Sequence, residues 1–206
     1  MSKDKHKIYL YPKWVRIWHG LNALLIIGLI VTGISMKYSS VSHPIRFDRA
    51  VLLHNIFGVT TGFNYLYFLI ANMFTANAKA YVFNMKGLLD RLMIQSKYYM
   101  FGYFKGEAKP FPISKKEKFN PLQKLAYSGT MYFLVPLVII SGFALLFPEI
   151  IFERVLNVSG IQLTAITHAS LGFLISIFLM IHLYVASVGK NPLRNYRSII
   201  TGYHED

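Results

Sequence analysis

Apolar residues run in four stretches, and the segments between them carry nearly all of the charge. The stretches extend from about Trp14 to Met36, Ala50 to Phe74, Gln123 to Phe147 and Gln162 to Val188. Each has the roughly twenty residues that an α-helix needs to cross a bilayer. Backbone amides in hydrocarbon must find partners within their own segment, so all four stretches are expected to be helices. The pattern predicts an all-α membrane protein, a four-helix transmembrane bundle, with residues 1–206 as a single integral-membrane domain.

The connections are unequal. The first and third are about a dozen residues each, whereas the second, from about Thr75 to Leu122, approaches fifty and is strongly basic. Lys and Arg collect on cytoplasmic loops. The N-terminal segment through Arg16 holds five, the long connection through Lys124 ten and the C-terminal tail three, against Lys37, Arg46, Arg49 and Arg154 on the other side. Both termini and the long connection are therefore expected in the cytoplasm. Within that connection, Tyr81 to Phe104 mixes Leu, Met, Phe and Tyr with Lys86, Arg91 and Lys97. It reads as an interfacial amphipathic helix, with an ordered tyrosine-rich loop as the alternative. No fixed-period repeat is present. One local echo is: His54-Asn55-Ile56-Phe57-Gly58 against His168-Ala169-Ser170-Leu171-Gly172.

Composition agrees with the membrane class. Hydrophobic residues make up 54% of the chain, and the mean hydropathy is +0.40. The 22 Lys+Arg against 9 Asp+Glu could suggest a nucleic-acid binder. The basic residues lie between apolar spans, which argues against it. The N-terminal apolar run is longer than a signal-peptide core and is read as an uncleaved span. There is no cysteine, which excludes disulfides, Cys-held iron–sulfur clusters and covalently attached haem.

Four histidines lie inside the apolar stretches: His19, His54, His168 and His182. An ionisable side chain in hydrocarbon is costly and marks a functional site, and neutral imidazole is the commonest metal ligand among side chains. With the termini inside, His19 and His182 fall at one depth near the inner face, and His54 and His168 at another near the outer face. His168 and His182 are fourteen residues apart. That is nearly four whole helical turns, so both point to one side, roughly 21 Å apart along the axis. The arrangement suggests two bis-histidine haem b irons, stacked across the membrane. Structural histidines hydrogen-bonding between helices would be the bland reading. A metal-transport site would bring carboxylates or thiolates to one depth, and the four stretches hold no Asp, Glu or Cys. His6 and His204, in charged tails, read as solvated, and His43 as a surface residue.

Gly58 and Gly172 follow a histidine by four residues, and Gly33 follows His19 by fourteen. All three fall on the histidine face, where a missing side chain lets a flat macrocycle approach; close helix packing is the alternative use of small residues. Arg16 lies three residues before His19 and Arg49 five before His54, each within reach of a haem propionate.

These residues resemble the di-haem cytochrome b subunits of respiratory formate dehydrogenase and membrane-bound nickel–iron hydrogenase, closest to the formate dehydrogenase gamma subunit. The markers cover nearly the whole chain: Arg16-Ile17-Trp18-His19, Thr32-Gly33, His54 with Gly58, Lys118-Phe119-Asn120-Pro121-Leu122-Gln123-Lys124, and His168 with His182. Pro121-Leu122 departs from the pattern, which carries small residues there. The resemblance implies the same ligand pairs as depth does. It also implies a quinone site (menaquinone or ubiquinone) beside the inner haem, using the segment from Asn120 to Gln123. Lys124 is the expected nearby cation, with anchoring of the helix to lipid headgroups as its alternative role, and the second nitrogen of His182 could face the quinone. Asn120 is also expected to cap the third span, with Pro121 at its first helical position.

The implied function is a membrane-anchoring electron-transfer subunit of the bacterial or archaeal cytoplasmic membrane. It would link a quinone to an outer-face redox partner carrying iron–sulfur clusters or c haems, without being a stand-alone enzyme. The alternative is a non-haem membrane anchor or small transporter with structural histidines.

Overall fold

The computed structural model describes residues 7–38, 45–114, 117–155, 157–188 and 191–205. His6 and His43 lie outside these residues. Each apolar stretch is helical, and its ends fall within about three residues of the sequence reading. Helix α1 spans Lys13–Lys37 and α2 Phe47–Phe74. Helices α4 (Pro121–Gly129) and α5 (Val135–Leu146) are joined by a π-helical turn, Thr130–Leu134, into one rod. Helix α6 spans Gly160–Ser187.

Three of these (α1, the Pro121–Leu146 rod and α6) are long and apolar enough to cross a membrane by length and composition. Helix α2 is as long as α6, at 28 residues, but more polar. Its Thr61, Asn64 and Asn72 are buried, so part of its polarity points inward, while Asn55 is exposed.

The π turn has a cause in the sequence. Pro136 has no amide hydrogen and cannot bond the carbonyl four residues back. A widened turn absorbs the mismatch, and the Tyr65 hydroxyl of α2 donates to the Met131 carbonyl within it at 2.9 Å.

Helices α1 and α2 pack along each other, as do α5 and α6, and α2 also touches α5. Two helical hairpins thus stand side by side. The long connection is less helical than expected: a 3₁₀ turn, Ala76–Tyr81, then α3, Leu88–Lys97, ending in a π turn, Tyr98–Gly102. Gly87, left-handed at φ 65°, precedes α3. Arg91 ties the preceding loop, donating to the carbonyls of Lys86 and Asn84.

The chain ends pair. Strand β1 (Lys7–Tyr9) runs antiparallel to the terminal strand Tyr203–Glu205, which follows helix α7 (Arg194–Thr201). His204 is therefore buried rather than solvated, with Nδ1 3.1 Å from the Ser198 hydroxyl. The strand pairing that closes the tail over α7 accounts for the difference.

Candidate haem-binding site

Two imidazole pairs face each other across the hairpins. The ring centres of His19 and His182 are 6.2 Å apart, with planes at 54°. Those of His54 and His168 are also 6.2 Å apart, at 77°. Helix α1 supplies His19, α2 supplies His54, and α6 supplies one ring to each pair.

The spacing bears on what the pairs can hold. An imidazole nitrogen binds a metal at about 2 Å, so two rings on opposite sides of one ion have centres roughly 6 Å apart. Among the described residues, no group of three or more His, Cys, Asp or Glu converges on a metal position. A bare ion needs more protein ligands than two nitrogens. The donor set therefore fits an iron whose other positions are filled by a macrocycle.

The outer pair is built from both hairpins in the same way. Thr32 Oγ1 lies 2.9 Å from His54 Nδ1, and Ser141 Oγ 3.0 Å from His168 Nδ1. His168 Nδ1 also lies 3.1 Å from the Val138 carbonyl. Each hydroxyl is followed by a glycine beneath the ring. A Cβ on Gly33 would stand 3.6 Å from His54 Cε1, and one on Gly142 3.0 Å from His168 Cε1. Gly33 thus serves the His54 ring directly. A Cβ on Gly172 would meet nothing within 4 Å, and one on Gly58 only Leu29, at 4.0 Å. Those two surfaces can take a flat group. The sequence reading did not reach Thr32 as a hydrogen-bond partner, nor Ser141 and Gly142.

The inner pair has aromatic walls. Phe178 stacks on His182 at 5.8 Å, and Tyr127 meets it edge-on at 5.5 Å. His182 Nδ1 is buried and has no hydrogen-bond partner among the described residues. From Tyr127 the rings continue through Phe119 to Tyr81. Outside the spans, burial pushes the Tyr81 and Tyr11 hydroxyls up and the Lys118 ammonium down from their ordinary ranges.

The residues expected at a quinone site gather at the start of α4 and are mutually engaged. Asn120 and Gln123 form a capping box: Asn120 Oδ1 accepts from the Gln123 amide at 2.9 Å, and Gln123 Oε1 accepts from the Asn120 amide at 3.2 Å. The Asn120 side-chain NH₂ donates to the Tyr99 hydroxyl at 2.8 Å; the π turn after α3 brings Tyr99 there. Lys124 pairs with Glu117 at 3.0 Å. Of the two arginines, Arg16 donates to the Ile200 carbonyl of α7, which ties it to the C-terminal segment. Arg49 is exposed on the first turn of α2.

Paired imidazoles between apolar helices define a b-type membrane cytochrome. The sequence profile of the family described as prokaryotic cytochrome b561 matches residues 10–202. The chain is 35% identical over 198 residues to a protein of Escherichia coli (strain K12) described as "Putative cytochrome YdhU"; the match covers 96% of this chain and 75% of that one. The chain belongs to the prokaryotic cytochrome b561 family, whose members bind b-type haem in the membrane and transfer electrons.

Proposed function

We propose that this protein is a di-haem electron wire: His19 and His182 hold an inner haem b, and His54 and His168 hold an outer one. Electrons pass between a redox subunit at the outer face and a quinone near the cytoplasmic face. The single observation carrying the reading is that two imidazole pairs share a 6.2 Å ring spacing and one helix, α6. The haem supplies one-electron redox chemistry when bound; the chain supplies axial nitrogens, position and an apolar surround.

The paired termini support four crossings. The pairing of β1 with the terminal strand β2 (Tyr203–Glu205) supports both ends lying on one side, and a chain that returns to its starting side crosses an even number of times. The three apolar helices thus need α2 as a fourth. The Lys/Arg imbalance of the connections supports that side as cytoplasmic.

A quinone site beside the inner pair is supported by its aromatic wall, by the His182 Nδ1 that has no partner among the described residues and by the polar cluster at the start of α4. Protons for reduction would come from the cytoplasm. A partner bringing its own iron–sulfur clusters or c haems would dock at the outer face, since this chain has no cysteine.

The test is haem content and position. Purified wild-type protein should carry two non-covalent b haems per chain. His54→Ala should remove the outer one and His19→Ala the inner one, each leaving about half the haem absorbance. Loss of the same haem in both variants refutes the pairing, and a colourless wild-type protein refutes the wire.

A further inference from the structure

We infer that Thr32 and Ser141 are positioning residues for the outer haem: each hydroxyl holds the Nδ1–H of one outer histidine and leaves Nε2 as that ring's free donor. The inference rests on His54 and His168 being axial ligands.

A hydroxyl has one hydrogen to give. Thr32 Oγ1 lies 2.7 Å from the Gly28 carbonyl and 3.2 Å from that of Leu29, both on its own helix. Its hydrogen goes there, so toward His54 Nδ1, at 2.9 Å, the hydroxyl accepts. Ser141 Oγ likewise lies 2.8 Å from the Leu137 carbonyl and 3.1 Å from that of Val138. It too accepts from the ring, at 3.0 Å from His168 Nδ1. For His168 the proton's place is fixed a second time. Nδ1 is 3.1 Å from the Val138 carbonyl, which can only accept. Both outer rings are therefore Nδ1–H tautomers with a bare Nε2.

The device occurs twice, independently. Thr32-Gly33 in α1 serves the histidine of α2, and Ser141-Gly142 in α5 serves that of α6. In each, hydroxyl and glycine are adjacent, so one residue bonds the ring edge while the next makes room for its Cε1. The inner pair lacks an equivalent at His182, whose Nδ1 has no partner among the described residues. A ligating imidazole that donates its other N–H is fixed in orientation and made a stronger base. Stronger donation favours oxidised iron, so these bonds should hold the outer haem's potential down.

The experiment is potentiometric titration of the detergent-purified protein followed by its visible spectrum, with EPR of the oxidised form. The outer wave is the one missing in His54→Ala. Thr32→Val keeps the shape and removes the hydroxyl acceptor, leaving the Leu29 carbonyl as the ring's remaining backbone partner. It should raise the outer midpoint by a tenfold change in the equilibrium, 59 mV for one electron, and shift the outer g values while leaving the inner wave in place. Thr32→Ser should restore both. Ser141→Ala likewise retains a backbone acceptor, the Val138 carbonyl, and should also shift the outer wave upward.

An outer midpoint unmoved or lowered in Thr32→Val, or both waves moved equally, overturns the inference. Should Thr32→Val lose its outer haem, Ser141→Ala decides: an upward shift supports the roles and no shift overturns them. A wild-type protein without two haems fails the underlying reading and this inference together. An unshifted outer wave in a two-haem protein fails this inference alone.

Discussion

The outer and inner histidine pairs have the same ring spacing and different surroundings. Around the outer pair the helices offer hydroxyls, a carbonyl and glycines. Its rings are held by bonds from their own hairpins. Around the inner pair they offer Tyr127 and Phe178, and His182 Nδ1 is left without a partner among the described residues. On the proposed reading, the tied rings of the outer pair suit a fixed electron relay, and the unoccupied nitrogen at the inner pair suits exchange with a diffusing hydrogen-bonding molecule.

The sharpest way to break the comparison is to disturb the glycine under one outer ring. Gly142→Ala places a methyl 3.0 Å from His168 Cε1, closer than ordinary contact, whereas Gly33→Ala places one 3.6 Å from His54 Cε1. The first should turn the His168 ring and weaken outer-haem retention by roughly tenfold. The second should retain haem nearly as the wild type does. Both should keep the inner haem. Haem content after repeated detergent exchange measures this. Equal loss from both variants would show that the glycines serve helix packing and not the rings.

The inner side is tested by its polar cluster. Asn120→Asp keeps an oxygen for the Gln123 amide and offers a second to the Tyr99 hydroxyl, so the cap and both haems should persist. It removes an NH₂ and adds a charge where a quinone carbonyl would sit. Quinol-driven reduction of the inner haem should slow about tenfold, equivalent to roughly 1.4 kcal/mol, the size of one hydrogen bond. A wild-type rate would make Asn120 only a cap and move the site elsewhere.

How much of this was legible in the chain depended on range. The spans and the depths of His19, His54, His168 and His182 follow from hydropathy and helical rise, which are local. The Asn120 cap with Pro121 behind it was readable because the two are neighbours, whereas the reciprocal bond from Gln123 that completes a capping box was not read. What could not be read were contacts across long loops. Tyr99 on Asn120, Ile200 on Arg16 and the closure over His204 all join residues that only the folded chain brings together. Thr32 and Ser141 were invisible for a different reason. Hydroxyl residues are common in membrane helices, where they bond their own carbonyls. One clue was present: Thr32-Gly33 and Ser141-Gly142 each precede a His-x-x-x-Gly on the next helix. Pro136 was a further clue, to the π turn, that the sequence reading left unused.

The smallest effect concerns charge at the two ends. Arg16, beside the inner pair, is held by the Ile200 carbonyl with its Nε buried. Arg49, five residues before His54, is exposed on the first turn of α2, and on the proposed reading it would meet an outer-haem propionate. A positive charge favours the more electron-rich iron, so Arg49→Gln should lower the outer midpoint. The shift should stay below the 59 mV of a tenfold change, because water and salt screen an exposed charge. At 0.1 M salt the screening length is about 10 Å, so the difference between Arg49→Gln and wild type should shrink further as salt is raised. The inner wave should not move. An outer midpoint that is unchanged at low salt, or that rises, would remove Arg49 from the outer site and leave its potential to the histidines and the hydroxyls behind them.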